Sequence, residues 1–174
     1  ELGVGCVPQR DRLVGSLGAL VGLRGPDERA RFAFAFDGAA TGLVPSMQGC
    51  AIVNGRHPLL LAQGRDVVPF DLSMDPDERT LLVSGPNTGG KTVLLKAIGL
   101  LSSLAQSGVP APAGLESRLP MFDDVFADVG DEQSIEASLS TFSAHLKNLS
   151  EILRAATAGS LLLVAELGSG TAPL

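Results

Sequence analysis

The clearest pattern of hydrophobic and polar positions lies between residues 81 and 108. Residues 81–84 (LLVS) form a short apolar run that predicts a buried strand, and a glycine-rich segment follows it. Residues 93–107 then carry apolar side chains three or four positions apart, which predicts a helix that ends at Gly108. A strand, a glycine loop and a helix in this order are typical of a phosphate-binding unit.

Similar patterns predict the elements on either side of this unit. In chain order they are strands at residues 51–53, 67–72, 122–129 and 161–164 and an amphipathic helix at residues 141–158. Asn54-Gly55 is a strong turn dipeptide, Pro69 favours the edge of a sheet, and residues 134–140 are polar and loop-like. Residues 28–36 fit either a helix end or a strand, because their phenylalanines alternate.

These elements predict a three-layer α/β domain. We expect a mixed, largely parallel core sheet with flanking helices and a smaller antiparallel patch from residues 51–72. The length of 174 residues suits one domain with a sizeable core, and a hydrophobic content of 45% excludes a disordered tail. Residues 1–45 carry weaker patterns, so we interpret them as the end of an arm that enters a domain at residues 46–174.

Composition adds expectations about the surroundings of the protein. No apolar run is long enough for a membrane span and no secretion signal opens the sequence. The two cysteines, Cys6 and Cys50, lack metal-ligand spacing, so reduced thiols and a cytoplasmic location are expected. The net charge of −6 argues against a broad nucleic-acid surface, so segments outside this chain are expected to make any DNA contacts.

The glycine-rich segment matches the phosphate-binding loop pattern G-x-x-x-x-G-K-[ST]. Its residues are Gly85, Pro86, Asn87, Thr88, Gly89, Gly90, Lys91 and Thr92. The glycines let backbone N–H groups close around phosphates, and the helix N-terminus adds partial positive charge. Lys91 would reach the β- and γ-phosphates, and the Thr92 hydroxyl would hold Mg²⁺. A chance glycine turn with a surface lysine is the alternative, which the flanking strand and helix patterns disfavour.

A second candidate site follows the apolar run at residues 161–164. Glu166 is placed for a general base, because a carboxylate there can orient an attacking water or accept its proton. The alternative is a solvated acid at a strand end. Many phosphate-loop ATPases carry an Asp before this Glu to help hold Mg²⁺, whereas this chain has Ala165. Hydrolysis is therefore expected to suffer more than binding.

The remaining polar residues favour structural interpretations. His57 lacks nearby ligand partners and is expected to be a hydrogen-bonded structural histidine, and His145 a solvated side chain. A group of acids fits either a metal cluster or a solvated strand edge and loop, and the second is favoured for most of them. The group consists of Asp123, Asp124, Asp128, Asp131 and Glu132.

Several ordered motifs resemble one protein family. The loop GPNTGGKT, RHPLL at residues 56–60, FADVGDEQSIEASLSTFSAHL at residues 126–146 and LLLVAELGSGT at residues 161–171 are similar to the MutS family of DNA-repair ATPases. The segment DEQSIEASLSTFSAH most resembles the corresponding segment of the bacterial, nuclease-tailed paralogues that lack a mismatch-recognition domain. The likeness covers about residues 52–171.

The resemblance implies a P-loop NTPase fold of the ABC-ATPase type, here truncated at the C-terminus. In this family two such domains form a homodimer head to tail and hold ATP and Mg²⁺ between them. By the same resemblance, Val67 and Val68 would sandwich adenine, Ser140 would touch the partner's γ-phosphate, and Glu166 would be the catalytic carboxylate. Lys91 would act in both binding and catalysis.

Three functional hypotheses follow. The first is an ATPase core that couples dimerisation to the binding of branched or recombining DNA or of stalled ribosomes. The second is a nucleotide-sensing dimerisation module with little or no hydrolysis, which Ala165 favours. The third is a small-molecule kinase, and it ranks last because no basic lid segment is visible.

Overall fold

The computed structural model describes residues 26–46, 48–86, 90–129 and 138–165, with side chains described for all of these except residues 26 and 138–145. In chain order the elements are helix α1 (Pro26–Phe36), strands β1 (Gly42–Pro45) and β2 (Cys50–Gly55), helix α2 (Pro58–Ala62), strand β3 (Phe70–Met74), helix α3 (Lys91–Gln106), strands β4 (Arg118–Met121) and β5 (Val125–Asp128), helix α4 (Ser138–Ala155) and strand β6 (Leu161–Val164).

The strands form two sheets in the described part of the chain. The first has four strands in the order β1-β4-β2-β3, and the second pairs β5 with β6. In the first sheet β1 runs parallel to β4, whereas β2 is antiparallel to both β4 and β3. The pairing of β2 with β3 is the predicted antiparallel patch, and β3 lies at the sheet edge as Pro69 indicated. The predicted largely parallel core sheet is wrong for the described residues, since only β5–β6 is a wholly parallel sheet.

The predicted buried strand at residues 81–84 is also wrong. The structure assigns no strand there, and Leu81 and Leu82 are 47% and 86% exposed. A strand exists only through hydrogen bonds to a neighbour, and within the described ranges no strand pairs with this run. The side chains of Leu81 and Leu82 therefore stay in solvent while Val83 is half-buried, and the parallel sheet described here has two strands.

Several element boundaries differ from the sequence predictions. The ambiguous residues 28–36 belong to α1, and α4 begins at Ser138, inside the segment predicted as loop. Asn54, expected to end a strand in a turn, remains in β2 with a φ of 51° at a register shift between Ile52 and Gly55. The predicted stop of α3 is confirmed, because Gly108 has a φ of 68° and follows the last helical turn.

The hydrophobic core lies around α3. Leu101 and Leu104 on this helix are fully buried, and α3 packs against both β4 and β6. Gly99 on α3 is so close to β6 that a Cβ there would lie 2.7 Å from the Leu163 Cδ1 atom. Helix α4 packs on β5 and buries Ile152. The parallel strand pair thus lies between two helices, in agreement with the predicted layers.

The predicted division of the chain at residues 45 and 46 stays a prediction. Strand β1, on the N-terminal side of that boundary, joins β4 in the same sheet through the register Gly42–Arg118 to Pro45–Met121. Arg56 also ties the end of α1 to the sheet, because its guanidinium donates to the Phe36 carbonyl at 3.2 Å and pairs with the Asp37 carboxylate at 3.1 Å. Among the described helices, none combines the length and hydropathy that a membrane span requires.

Candidate phosphate-binding site

The N-terminus of α3 carries the main features of the predicted phosphate loop. Gly90 is the N-cap residue in a left-handed conformation, with φ 78° and ψ 14°, and it offers no side chain to the helix. Its carbonyl accepts the Leu94 N–H at 2.8 Å, which closes the first helical turn. The first N–H groups of a helix have no acceptor within the helix. Gly90 gives them no side-chain cap, so they are suited to binding an anion.

Lys91 joins the two ends of the loop. Its ammonium group donates a hydrogen bond to the carbonyl oxygen of Gly85, the first glycine of the pattern. Gly85 has a φ of 150°, in the region that favours glycine. A Cβ at Gly85 or at Gly90 would meet no atom of the described residues within 4 Å, so neither glycine packs against the described part of the chain. The described residues therefore leave space for a ligand beside the ammonium group and the N-terminus of α3.

This arrangement fits a phosphate group with its magnesium ion. Backbone N–H groups, a helix N-terminus and an ammonium group all attract negative charge. Thr92 lies in the first turn of α3 and is half-buried, so its hydroxyl is a neutral oxygen ligand near the loop. The described residues contain no group of three or more His, Cys, Asp or Glu that would hold a metal by themselves. Mg²⁺ commonly completes its shell with substrate phosphates and water, which suits a single hydroxyl ligand.

The other predicted site residues differ in how much the structure describes. Val67 and Val68 precede β3, and Val68 is 87% exposed, so its side chain is accessible to a flat ring such as adenine. Ser140 lies in the first turn of α4, with its side chain outside the described part. Residues Asn87, Thr88, Gly89 and Glu166 fall outside the described residues. The structure therefore places Lys91 at Gly85, with Gly90 and Thr92 on either side of Lys91 in the chain, and all the ligand-binding assignments stay predictions.

The carboxyl ends of β5 and β6 form a second region of interest. Asp128 ends β5, is only 1% exposed, and is the register partner of Val164 at the end of β6. The Asp128 carbonyl accepts the N–H of Ala165 at 2.9 Å, which fixes the residue before Glu166. The solvated-edge interpretation is therefore wrong for Asp128 and is confirmed for the exposed Asp123 and Asp124. Asp131 and Glu132 lie outside the described residues.

Sequence reasoning missed Asp128 because a carboxylate was assumed to be solvated. The strand pattern held only part of the signal, because it groups Asp128 with the residues on one face of β5 but does not show that α4 covers this face. Asp128 is two residues after Phe126, and alternate residues of a strand share one face. The prediction gave more weight to the charge of the aspartate than to its place in this alternation. A buried acid in a regular strand often marks a specific role.

His57 is a structural residue, as expected. It is buried and forms the N-cap of α2, where its Nδ1 atom accepts the Leu60 N–H at 3.4 Å. Burial lowers the pKa of the imidazole below its usual 6.5, and the nearby Lys96 charge lowers it further, although a backbone hydrogen bond partly raises it. The neutral imidazole is the form that serves as the cap acceptor.

Comparison with known proteins identifies the family. The family model described as MutS domain V matches residues 81–174, which include the whole phosphate-loop pattern and strand β6. The chain belongs to the MutS family. MutS proteins are ATPases that use ATP and Mg²⁺, bind DNA and form dimers.

The relatives place the chain in the MutS2 branch of this family, which confirms the resemblance seen in the sequence. "Endonuclease MutS2" of Gemmatimonas aurantiaca is 63% identical over 95% of this chain. The proteins of that name from Pelotomaculum thermopropionicum and Alkaliphilus metalliredigens are 49% and 57% identical over 99% and 70% of the chain. The matched regions cover only 20%, 22% and 15% of these relatives, so the chain spans about a fifth of their length.

Proposed function

We propose that this MutS-family ATPase domain binds Mg²⁺-ATP at residues 85–92 and hydrolyses it within a homodimer. The observation that carries the proposal is the N-terminus of α3, where an uncapped helix end follows the left-handed Gly90 and the Lys91 ammonium lies at the Gly85 carbonyl. On ATP binding the ammonium would exchange this carbonyl for phosphate oxygens, which are better acceptors because they are charged. The Thr92 hydroxyl would coordinate Mg²⁺.

The remaining predicted residues complete the proposed site. The exposed Val68 and the half-buried Val67 would cover the adenine ring, since small apolar side chains gain from removing aromatic surface from water. Ser140 near the start of α4 would donate to the γ-phosphate bound by the partner subunit. The ATP site would then be complete only in the dimer, so nucleotide binding would favour association.

Glu166 is the proposed general base of hydrolysis. Its neighbour Ala165 follows β6 directly and is held to β5 by its backbone N–H, so the described residue before Glu166 lies where the two parallel strands end. Ligands of parallel α/β sheets bind at this edge, which supports the assignment. Ala165 provides no carboxylate for the magnesium shell. We therefore expect slow hydrolysis and nearly normal ATP binding.

The second candidate function is a nucleotide-sensing module that dimerises on ATP without turning it over, and Ala165 favours it. Single-turnover hydrolysis separates the two functions. Phosphate release that is lost in Glu166→Gln and retained in Glu151→Gln, a carboxylate change on the outer part of α4, supports catalysis. ATP-dependent dimerisation in light scattering without any phosphate release supports the sensing module.

We also propose that the dimer acts in the cytoplasm on branched or recombining DNA or on stalled ribosomes, through segments outside this chain. The net charge of −6 supports the proposal that other segments contact the nucleic acid, because a negatively charged chain has no general attraction for a polyanion. Binding of a four-way DNA junction and of ribosomes, measured in parallel with and without ATP, tests the two targets. Binding of this chain alone to linear DNA at moderate salt would contradict the proposal.

A further inference from the structure

Two contacts of Asp128 with described residues reach two different segments of the proposed site. Its backbone carbonyl accepts the N–H of Ala165 at 2.9 Å, one residue before Glu166. Its Oδ1 atom lies 3.5 Å from Nδ2 of Asn148, at the long limit of a hydrogen bond, and Asn148 lies on α4. Asp128 is 1% exposed and Asn148 is half-buried, so this contact is partly shielded from water.

The alternation of β5 and β6 places the Asp128 side chain toward α4. Leu163 on β6 lies against Gly99 of α3, so this residue faces the phosphate-loop helix. Val164 is the next residue on the strand and faces the opposite side, together with its register partner Asp128. The contact with Asn148 agrees with this geometry. Asp128 therefore lies between the end of the parallel strands and α4.

A buried carboxylate is a poor choice for stability alone. Removing an ionised group from water costs several kcal/mol, and well-packed apolar residues often replace buried charges without loss of stability. Helix α4 already packs on β5 and buries Ile152, which supplies apolar contact. The Asp128–Asn148 contact restricts the orientation of α4. A hydrogen bond fixes the position of a helix along and around its axis more narrowly than apolar packing does.

We propose that Asp128 is a positioning residue that holds α4 and Ala165, the residue before Glu166, in one fixed relation. This inference rests on the proposed roles of Glu166 and Ser140. The backbone of Asp128 holds the start of the general-base segment, while its carboxylate holds the helix whose first turn contains Ser140. Asp128 thus links the proposed general base Glu166, which acts on the ATP of its own subunit, to Ser140, which acts on the ATP of the partner subunit. ATP binding to residues 85–92 of a single subunit does not depend on this link, whereas completion of the site in the dimer does.

The first arm of the test is hydrogen exchange of the full chain without nucleotide, which does not depend on ATP binding. Asn148→Ala removes the donor from α4, and Asp128→Asn keeps the shape and one acceptor. We expect amide exchange in the second half of α4 to accelerate about tenfold in Asn148→Ala, as for the loss of one hydrogen bond to a charged group, and less in Asp128→Asn. Exchange in α3 should not change. Equal exchange of α4 in Asn148→Ala and the parent protein would overturn the inference.

The second arm measures ATP binding and single-turnover hydrolysis separately. At protein concentrations where the subunit is monomeric, both variants should keep the Kd for ATP within about twofold. Hydrolysis should fall about tenfold or more in Asn148→Ala and less in Asp128→Asn, because a small misplacement of reacting groups reduces the rate strongly. Asp124→Asn changes an exposed carboxylate nearby and should alter neither quantity. The double variant Asp128→Asn with Asn148→Asp restores a donor and a charged acceptor and should recover hydrolysis. Unchanged hydrolysis in both single variants would overturn the inference.

The two arms distinguish failure of the inference from failure of the proposed function. If the parent protein binds no ATP, the proposed function is wrong, and with it the role of Asp128 in catalysis. If the parent hydrolyses ATP while the Asp128 and Asn148 variants behave like it in both arms, only the positioning role is wrong. Faster exchange in α4 together with slower hydrolysis at an unchanged Kd supports the inference.

Discussion

Replacement of Gly99 by alanine tests the packing of the phosphate-loop helix on the strand that leads to Glu166. Two effects of opposite sign compete at this position. In a helix interior, Gly→Ala is worth about 1 kcal/mol of stability because alanine has the higher helix propensity. Against this, the added Cβ would lie 2.7 Å from Leu163 Cδ1, whereas carbon atoms in contact prefer about 3.5–4.0 Å.

The steric effect should dominate because Leu163 cannot easily move. This side chain is 4% exposed and belongs to the hydrophobic core, so it has no solvent to turn into. Overpacking of a core costs about 1–3 kcal/mol. Subtracting the propensity gain leaves Gly99→Ala less stable by up to about 2 kcal/mol. In a domain of this size, each kcal/mol lowers Tm by about 2–4 °C in a thermal unfolding experiment.

The double variant with Leu163→Val isolates the contact. Valine lacks the Cδ1 atom, and its own cost is about 0.8 kcal/mol for one buried methylene. If the contact is responsible, the double variant should be more stable than the sum of the two single changes, by about 0.5–2 kcal/mol in a double-mutant cycle. Gly99→Ala that raises Tm, or strictly additive effects, would refute the close packing of α3 on β6.

Two further predictions concern single residues. The pKa of His57 is lowered in the folded state, so the unfolded chain binds more protons, and the stability should be complete above about pH 6.5 and fall as the pH drops below it. In His57→Asn, which keeps a cap acceptor, this part of the slope of Tm against pH should vanish. An unchanged slope would contradict the burial argument. Gly90→Ala should cost about 1–2 kcal/mol in denaturant unfolding. The new Cβ would clash with no described neighbour, so the cost comes from the left-handed φ of 78°. An unchanged midpoint would contradict the left-handed cap.

Elements with strong local patterns were predictable from the sequence. The periodicity of α3 and the glycine after it predicted a helix whose bounds agree with the structure within about two residues. Residues 161–164 were predicted as a strand with the same bounds. Pro69 indicated an edge strand because proline has no N–H to donate, and β3 is at the edge. Each of these features depends on residues that are close together in the sequence.

Features that depend on distant partners were not predictable in the same way. Residues 81–84 have a strand-like composition, but a strand also needs a neighbour, and the run is exposed where the structure describes it. The burial of Asp128 depends on α4 covering one face of β5, which periodicity alone does not reveal. For the site, the sequence predicted the loop pattern, while the contact of Lys91 with Gly85 and the uncapped helix end required coordinates.

The most direct test of the account is calorimetric titration of the protein with ATP in the presence of Mg²⁺, comparing Lys91→Ala with Lys147→Ala. Lys147 is an exposed lysine of α4 that pairs only loosely with Glu151, at 4.0 Å, so its loss should leave the Kd unchanged. Loss of the Lys91 ammonium removes a charge-assisted hydrogen bond to phosphate and should weaken binding roughly tenfold or more. No binding by the parent protein at ~1 mM ATP, where a site with about 4 kcal/mol of binding free energy is half filled, or equal Kd values for both variants, would contradict the central claim.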